Sequence, residues 1–295
     1  MPQITPVVTD HSFTEGPRWH QGRLWFSDFY LGRVSSVRAD GSDFRVEALV
    51  DNQPSGLGWL PDGRLLIVSM RDQLVLRRED DGTLVEHADL SGHVRGHAND
   101  MVVDAEGRAY VGCFGFDLMG GAPIELAPLV RVDPDGSVSV VAEGLWFPNG
   151  MALTDDGSTL LVNETVGNRV SAFDVAADGS LGNHRVWAEF APTPTEREFE
   201  KALAQVVLAP DGGALDAAGG WWVADAVNGR LVRVVDGQVQ AEIQPGTGVF
   251  ACTLGGDDGR TLFACCAPDF FEHARREATE ASILAIPVEV PAAGL

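Results

Sequence analysis

Five short stretches carry an oxygen-bearing side chain, in four of them beside a proline or a glycine. They are Glu15 in TEGPRW, Ser55 in PSGLGW, Asn99 and Asp100 in HANDMVV, Asn149 in PNGMAL, and Asp211 in PDGGAL. Carboxylate, amide and hydroxyl oxygens are the donors that hard divalent cations take, and Ca²⁺ accepts mixed sets of them. One Glu and one Asp would balance the charge of one such ion. Without an ion, two carboxylates brought together out of water would repel, and one of them would hold its proton. Any one of these stretches also reads as a plain turn, since P-D-G and P-N-G are ordinary turn sequences. LPDGR (61–64 with Leu60) and VDPDG (132–136) are taken as turns of that kind.

The stretches recur at one phase of a repeated unit. Six segments, starting at Glu15, Pro54, His97, Pro148, Pro210 and Gly248, share one plan. A polar or glycine-containing motif leads into a short apolar strand. A tight turn follows (HQGR, PDGR, AEGR, DDGS, AAGG, DDGR), then a second strand (LWFSD, LLIVS, AYVGC, TLLVN, WWVAD, TLFAC). A third strand alternates basic and apolar residues, and another D-G turn leads to a fourth. D-G turns between alternating runs signal hairpins. Four short antiparallel strands repeated about every 40 to 60 residues describe a propeller blade. The expectation is an all-β fold, a six-bladed β-propeller with four-stranded antiparallel blades. It would be a single domain over residues 1–295. In such a fold the opening motifs lie at one end of the central channel, so their oxygens converge. That joint pattern favours a cation over five separate turns.

Two stretches break the repeat. TPTEREFEKALAQV has Thr195 and Glu198 at capping-box spacing and reads as a short helix before the fifth unit. PDFFEHARREATEAS reads as a helix or loop inserted in the sixth. Either is placed to cover a mouth of the channel. Phe114, Phe116, Met119, Trp146, Phe147 and Phe250 flank the motif loops as an apolar rim.

Composition removes several functions. The formal net charge is -22, which repels nucleic-acid backbones. No apolar run of about 18 residues is present, so no membrane span is expected. The first residues have neither a basic start nor an apolar stretch, so no signal peptide is expected and the location is cytoplasmic. Cys113, Cys252, Cys265 and Cys266 lack C-x-x-C spacing and read as buried reduced thiols. Neither G-x-S-x-G nor H-E-x-x-H occurs, which argues against serine-esterase and zincin chemistry.

At this point the chain resembles the family of senescence marker protein 30, gluconolactonase and luciferin-regenerating enzyme. The matching stretches are TEGPRW (14–19), NDMVVDAEGRAYVG (99–112), FPNGMAL (147–153) and PDGGALDAAGGWWVADAVNGRLVRV (210–234). The resemblance implies a six-bladed propeller with one divalent metal ion at the channel mouth. It places the metal ligands on Glu15, Asn149 and Asp211, and a substrate-binding asparagine on Asn99. Ca²⁺ is the expected ion, with Mg²⁺, Mn²⁺ and Zn²⁺ as alternatives. The implied activity is hydrolysis of a sugar lactone or a less polar cyclic ester, on a small-molecule substrate. Ester or organophosphate hydrolysis, dehydration, and a non-catalytic scaffold are the competing functions. Animal members carry an arginine two residues before the substrate asparagine, and His97 stands there in this chain. Histidine is smaller and titrates near neutrality, so His97 is read as a substrate-binding and catalytic residue. Asp211 is the expected general base. On an extended strand His97 and Asn99 would share a face.

Overall fold

The computed structural model describes residues 3–294; residues 1, 2 and 295 of the expected domain lie outside the described residues. The first strand, β1 (Thr5–His11), precedes the repeats. The first sheet is β2 (Thr14–His20), β3 (Arg23–Asp28), β4 (Arg33–Val37) and β5 (Arg45–Leu49). The second is β6 (Pro54–Trp59), β7 (Leu65–Ser69), β8 (Leu74–Arg78) and β9 (Leu84–Asp89). The third is β10 (Ala98–Val103), β11 (Ala109–Cys113), β12 (Ala127–Val132) and β13 (Val138–Leu145). The fourth is β14 (Pro148–Leu153), β15 (Thr159–Glu164), β16 (Arg169–Val175) and β17 (Leu181–Glu189). A helical turn, α1 (Phe199–Leu203), precedes the fifth sheet of β18 (Pro210–Leu215), β19 (Trp221–Asp225), β20 (Arg230–Val235) and β21 (Gln238–Ile243). The sixth has β22 (Gly248–Gly255), β23 (Thr261–Ala267) and, after α2 (Glu272–Arg275), β24 (Ala281–Pro287). Its fourth strand is β1, paired to β24 from Thr5↔Ala285 to His11↔Ala281. Six four-stranded antiparallel sheets in this order are the blades of a six-bladed β-propeller.

The hairpins follow from their turn residues. In LPDGR, Leu60 N–H bonds the Arg64 carbonyl and Asp62 Oδ1 accepts from Arg64 N, while Gly63 takes a φ of 89° that a side chain would strain. Contacts divide the chain into two compact units. One is Met1–Pro54 with Asp211–Leu295, and the other is Ser55–Pro210. In the first unit Val8, Leu24, Phe26, Val37, Phe263 and Ile283 form a core that joins β1 to the first sheet. In the second, Tyr110, Leu129, Met151, Leu160, Val162 and Phe173 join the third sheet to the fourth. All four cysteines are buried free thiols, as their apolar runs imply.

Buried acids end the second strands of three sheets, and two of them bond the arginine that opens the next strand. Asp225 holds Arg230 at 2.8 Å, and Glu164 holds Arg169 through two bonds of 2.7 and 2.9 Å. Asp28 takes other partners. It accepts from His11 Nδ1 at 2.8 Å and from the hydroxyl and backbone N–H of Ser12. Burial pushes its carboxyl up, but the bonds from His11 and Ser12 outweigh it and hold the pKa below the usual carboxylate range. A depressed folded-state pKa stabilises the fold above the unfolded value, about 3.9, and that gain is lost as pH falls through the folded one. Asp28→Asn is expected to cost about 1–3 kcal/mol at pH 7. In urea titrations the gap from wild type should narrow below about pH 4. An equal gap at pH 7 and pH 3 would show that charge on Asp28 has no part in it.

The first inserted stretch departs from the capping-box expectation. α1 begins after Glu198, whose side chain makes no capping bond. Thr195 instead donates its N–H to Gln205 Oε1 at 2.8 Å, so the capping atoms are taken by a loop contact and the helix starts later. The second stretch does contain a helical turn, α2. No helix among the described residues is long and apolar enough to cross a membrane.

Candidate metal and substrate site

The motif residues lie near the start of the first strand of each sheet, and in four sheets a bulge follows at that point. Strand pairing opens with Thr14↔Asp28, Ala98↔Cys113, Pro148↔Glu164 and Gly248↔Ala267. The next residues are Glu15, Asn99, Asn149 and Val249, and in each case the register slips by one within the next two or three residues. A bulge breaks the alternation of faces and re-aims the side chains at it. Four different sheets thus present one position in the same local geometry. Three of those positions carry oxygen, and the sixth sheet carries a buried valine. Ser55 and Asp211 follow Pro54 and Pro210 at the same point of the second and fifth sheets.

The motif glycines permit close packing of these strands. In the first unit, a Cβ on Gly212 would lie 2.5 Å from Ala251 Cα, which sets β18 against β22. One on Gly255 would lie 2.4 Å from the Trp19 ring, which sets β22 against β2. Glu15 and Asp211 are buried to 7% and 8% exposure at the heads of β2 and β18. Between them, on β22, sits Cys252. Burial raises its thiol pKa, and the charges of both Glu15 and Asp211 raise it further. Both acids thus lie on strands that adjoin β22. Glu15 Oε2 also accepts the Gly16 N–H at 2.9 Å. Beside them Phe13, Phe29 and Phe250 pack ring to ring, with Phe13 and Phe250 4.8 Å apart, and Phe270 of the second insertion reaches Phe250 at 6.4 Å.

In the second unit, a Cβ on Gly56 would lie 2.5 Å from Met101 N, and one on Gly112 would lie 2.3 Å from the Pro148 carbonyl oxygen. β6, β10 and β14 therefore adjoin. Ser55 Oγ donates to Asn99 Oδ1 at 3.3 Å, and Asn99, Asp100 and Asn149 are all buried to 5% exposure. Asp100 Oδ1 accepts the Met101 N–H inside the bulge.

His97 is half-buried and precedes β10, outside the paired strand. A bulge lies between Ala98 and Met101, in the stretch where alternation was expected to put His97 and Asn99 on one face. The His97 ring lies 5.4 Å from Phe114, and the series continues through Phe147, Phe116 and Phe199. Of the expected apolar rim, Phe114, Phe116, Trp146, Phe147 and Phe250 are buried, and Met119 is exposed.

The donor chemistry suits a hard cation. Glu15, Asn149 and Asp211 supply two carboxylates and one amide, oxygen atoms only, each on a buried side chain. Among the described residues no group of three or more His, Cys, Asp or Glu side chains is placed to hold a metal ion. The expected set would not form such a group, since it has two acids and an amide.

A six-bladed propeller with oxygen donors repeated at the heads of its blades is the class these features define. Residues 13–267 match the family model described as SMP-30/Gluconolactonase/LRE-like region, and the chain belongs to that family. It is 30% identical over 257 residues to a 6-deoxy-6-sulfogluconolactonase of Pseudomonas putida, covering 84% of this chain and 81% of that one. It is 29% identical over 271 residues to the pentonolactonase XacC of Haloferax volcanii, covering 90% and 85%. Its fold matches a solved calcium-binding protein, regucalcin, of Agrobacterium tumefaciens, with a TM-score of 0.77, 20% identity and coverage of 100% and 98%.

Proposed function

We propose that this chain hydrolyses a lactone, with one divalent cation held by Glu15, Asn149 and Asp211 and Ca²⁺ as its first candidate. The observation that carries the proposal is the oxygen donor recurring at one bulged position in the first, third and fourth sheets, with Asp211 next to the opening proline of the fifth. Membership of a family whose relatives include two sugar-acid lactonases supports it. The proposal takes residues 1–295 as one domain, so that Asn149 joins the two carboxylates. It also takes the substrate as a small molecule and the location as cytoplasmic.

A bound divalent cation supplies Lewis acidity at the lactone carbonyl. Asp211 takes the proton of the attacking water, whose oxygen adds to the carbonyl carbon. Asn99 donates its amide hydrogens to the substrate, and Ser55 Oγ, bonded to its Oδ1, orients that amide. The ring C–O bond then breaks, and His97 gives a proton to the departing alkoxide. His97→Gln keeps a hydrogen-bonding side chain and removes the titration. Its pH–rate profile is expected to flatten between about pH 5 and 8; a profile that overlays wild type would remove His97 from proton transfer.

The aromatic groups beside Glu15 and beside His97 favour a substrate less polar than an aldonolactone as a second reading. The test is hydrolysis of sugar-acid lactones and alkyl lactones after chelation and re-addition of Ca²⁺, Mg²⁺, Mn²⁺ or Zn²⁺. Activity is expected to vanish on chelation and return with one of these ions. Undiminished turnover in the chelated protein would reject the metal, and no turnover of any lactone would reject the reaction.

A further inference from the structure

The turn at residues 164–168, between β15 and β16, holds none of the donors above. It nevertheless bonds the backbone just ahead of two of them. On one side, Thr165 N–H donates to the Phe147 carbonyl at 3.1 Å, and Glu164 Oε2 accepts the Trp146 N–H at 2.8 Å. Phe147 has a φ of 61°, unusual for a residue with a side chain, and these bonds hold the chain there. On the other side, Thr165 Oγ1 donates to the Pro210 carbonyl at 2.9 Å. Asn168 Oδ1 accepts from Val207 N at 2.7 Å and Leu208 N at 3.3 Å, and its Nδ2 donates to the carbonyls of Pro192 and Gln205. Asn168 is fully buried, and Gly167 is so close to Trp146 that a Cβ would lie 2.9 Å from that residue's own Cβ.

We propose that this turn is a positioning brace for Asn149 and Asp211, with Thr165 as the member common to both. The inference rests on the metal reading above and assigns the residues that hold two of its ligands in place. Both ligands follow a proline, whose ring leaves the backbone little freedom at φ. The peptide group is planar, so orienting the Pro210 carbonyl also orients the N–H of Asp211. The Thr165 hydroxyl therefore sets the one soft torsion left ahead of Asp211. Its N–H orients the peptide that joins Phe147 to Pro148, one residue further back from Asn149. A single turn thereby holds the backbone that leads into two ligands far apart in sequence.

The test compares Thr165→Val, which removes the hydroxyl at nearly constant shape, with Thr165→Ser, which keeps it. Binding of Ca²⁺ and Mn²⁺ is measured by calorimetry on folded, chelated protein. Hydrogen exchange at Asp211 and Gly212 is measured on the same metal-free samples. Residues that support metal ligands typically contribute about 10–100-fold in affinity, so T165V is expected to lose at least about tenfold, with faster exchange at Asp211 and Gly212. T165S is expected to stay close to wild type in both. Wild-type affinity and exchange in T165V would overturn the brace, as would equal losses in both variants. A wild-type protein that binds neither ion would sink the metal reading, and the exchange comparison would then decide the brace by itself.

Discussion

Asp211→Asn is expected to lower kcat/KM for the best lactone by about 10²–10⁴-fold, the range for losing a positioned general base. The substitution is nearly isosteric, so the buried site at the head of β18 keeps its shape. It removes the proton acceptor and one of two negative charges that would face the cation. The cation affinity should fall as well, because Glu15 alone then balances the ion. Lactone assays at saturating metal separate these effects. Lost affinity is recovered by added ion, whereas a lost base is not. A variant within a few-fold of wild type at saturating metal would remove Asp211 from the chemistry and leave it, at most, a ligand.

Glu164→Ala is expected to destabilise the fold by about 3–5 kcal/mol, the cost of breaking a buried ion pair from one side. Glu164 is fully buried and accepts from Arg169, from Ser171 Oγ and from the Trp146 N–H. Removing it leaves the Arg169 guanidinium, 18% exposed, without its counterion, and the Trp146 N–H without its acceptor. Guanidinium unfolding at pH 7 measures the loss. A cost under about 1 kcal/mol, the level of an exposed pair, would mean that Arg169 reaches water once its partner is gone.

The plan of the fold was legible in the chain because it rests on local rules. D-G turns, alternating apolar strands and a repeated opening motif specify six hairpin pairs through contacts only a few residues apart. The oxygen donors were legible for a related reason, since each repeat puts its motif at the same phase. The fourth strand of the last blade was not legible. TPVVTDH (5–11) carries no motif that says it pairs with residues 281–285, 270 to 280 residues further along (281 − 11 and 285 − 5). Hydrogen bonding to an open sheet edge and burial of Val8 decide that pairing.

The details of the site divide the same way. Residue type alone marked Glu15, Asn99, Asn149 and Asp211 as oxygen donors. Strand alternation alone could not foresee the bulge that inserts an extra residue between Ala98 and Met101, beside His97 and Asn99. Thr195 and Glu198 had the spacing of a cap, but Gln205 offered the Thr195 backbone a competing acceptor. Nothing local to Thr165 and Asn168 marks their partners at Pro192, Gln205 and Pro210. Sequence by itself determined the repeat, the turns and the chemical type of each donor, since these depend on a residue and its near neighbours. Only the tertiary structure decided which backbone groups those side chains bond, because buried polar atoms take whatever partners the packed fold brings within about 3 Å.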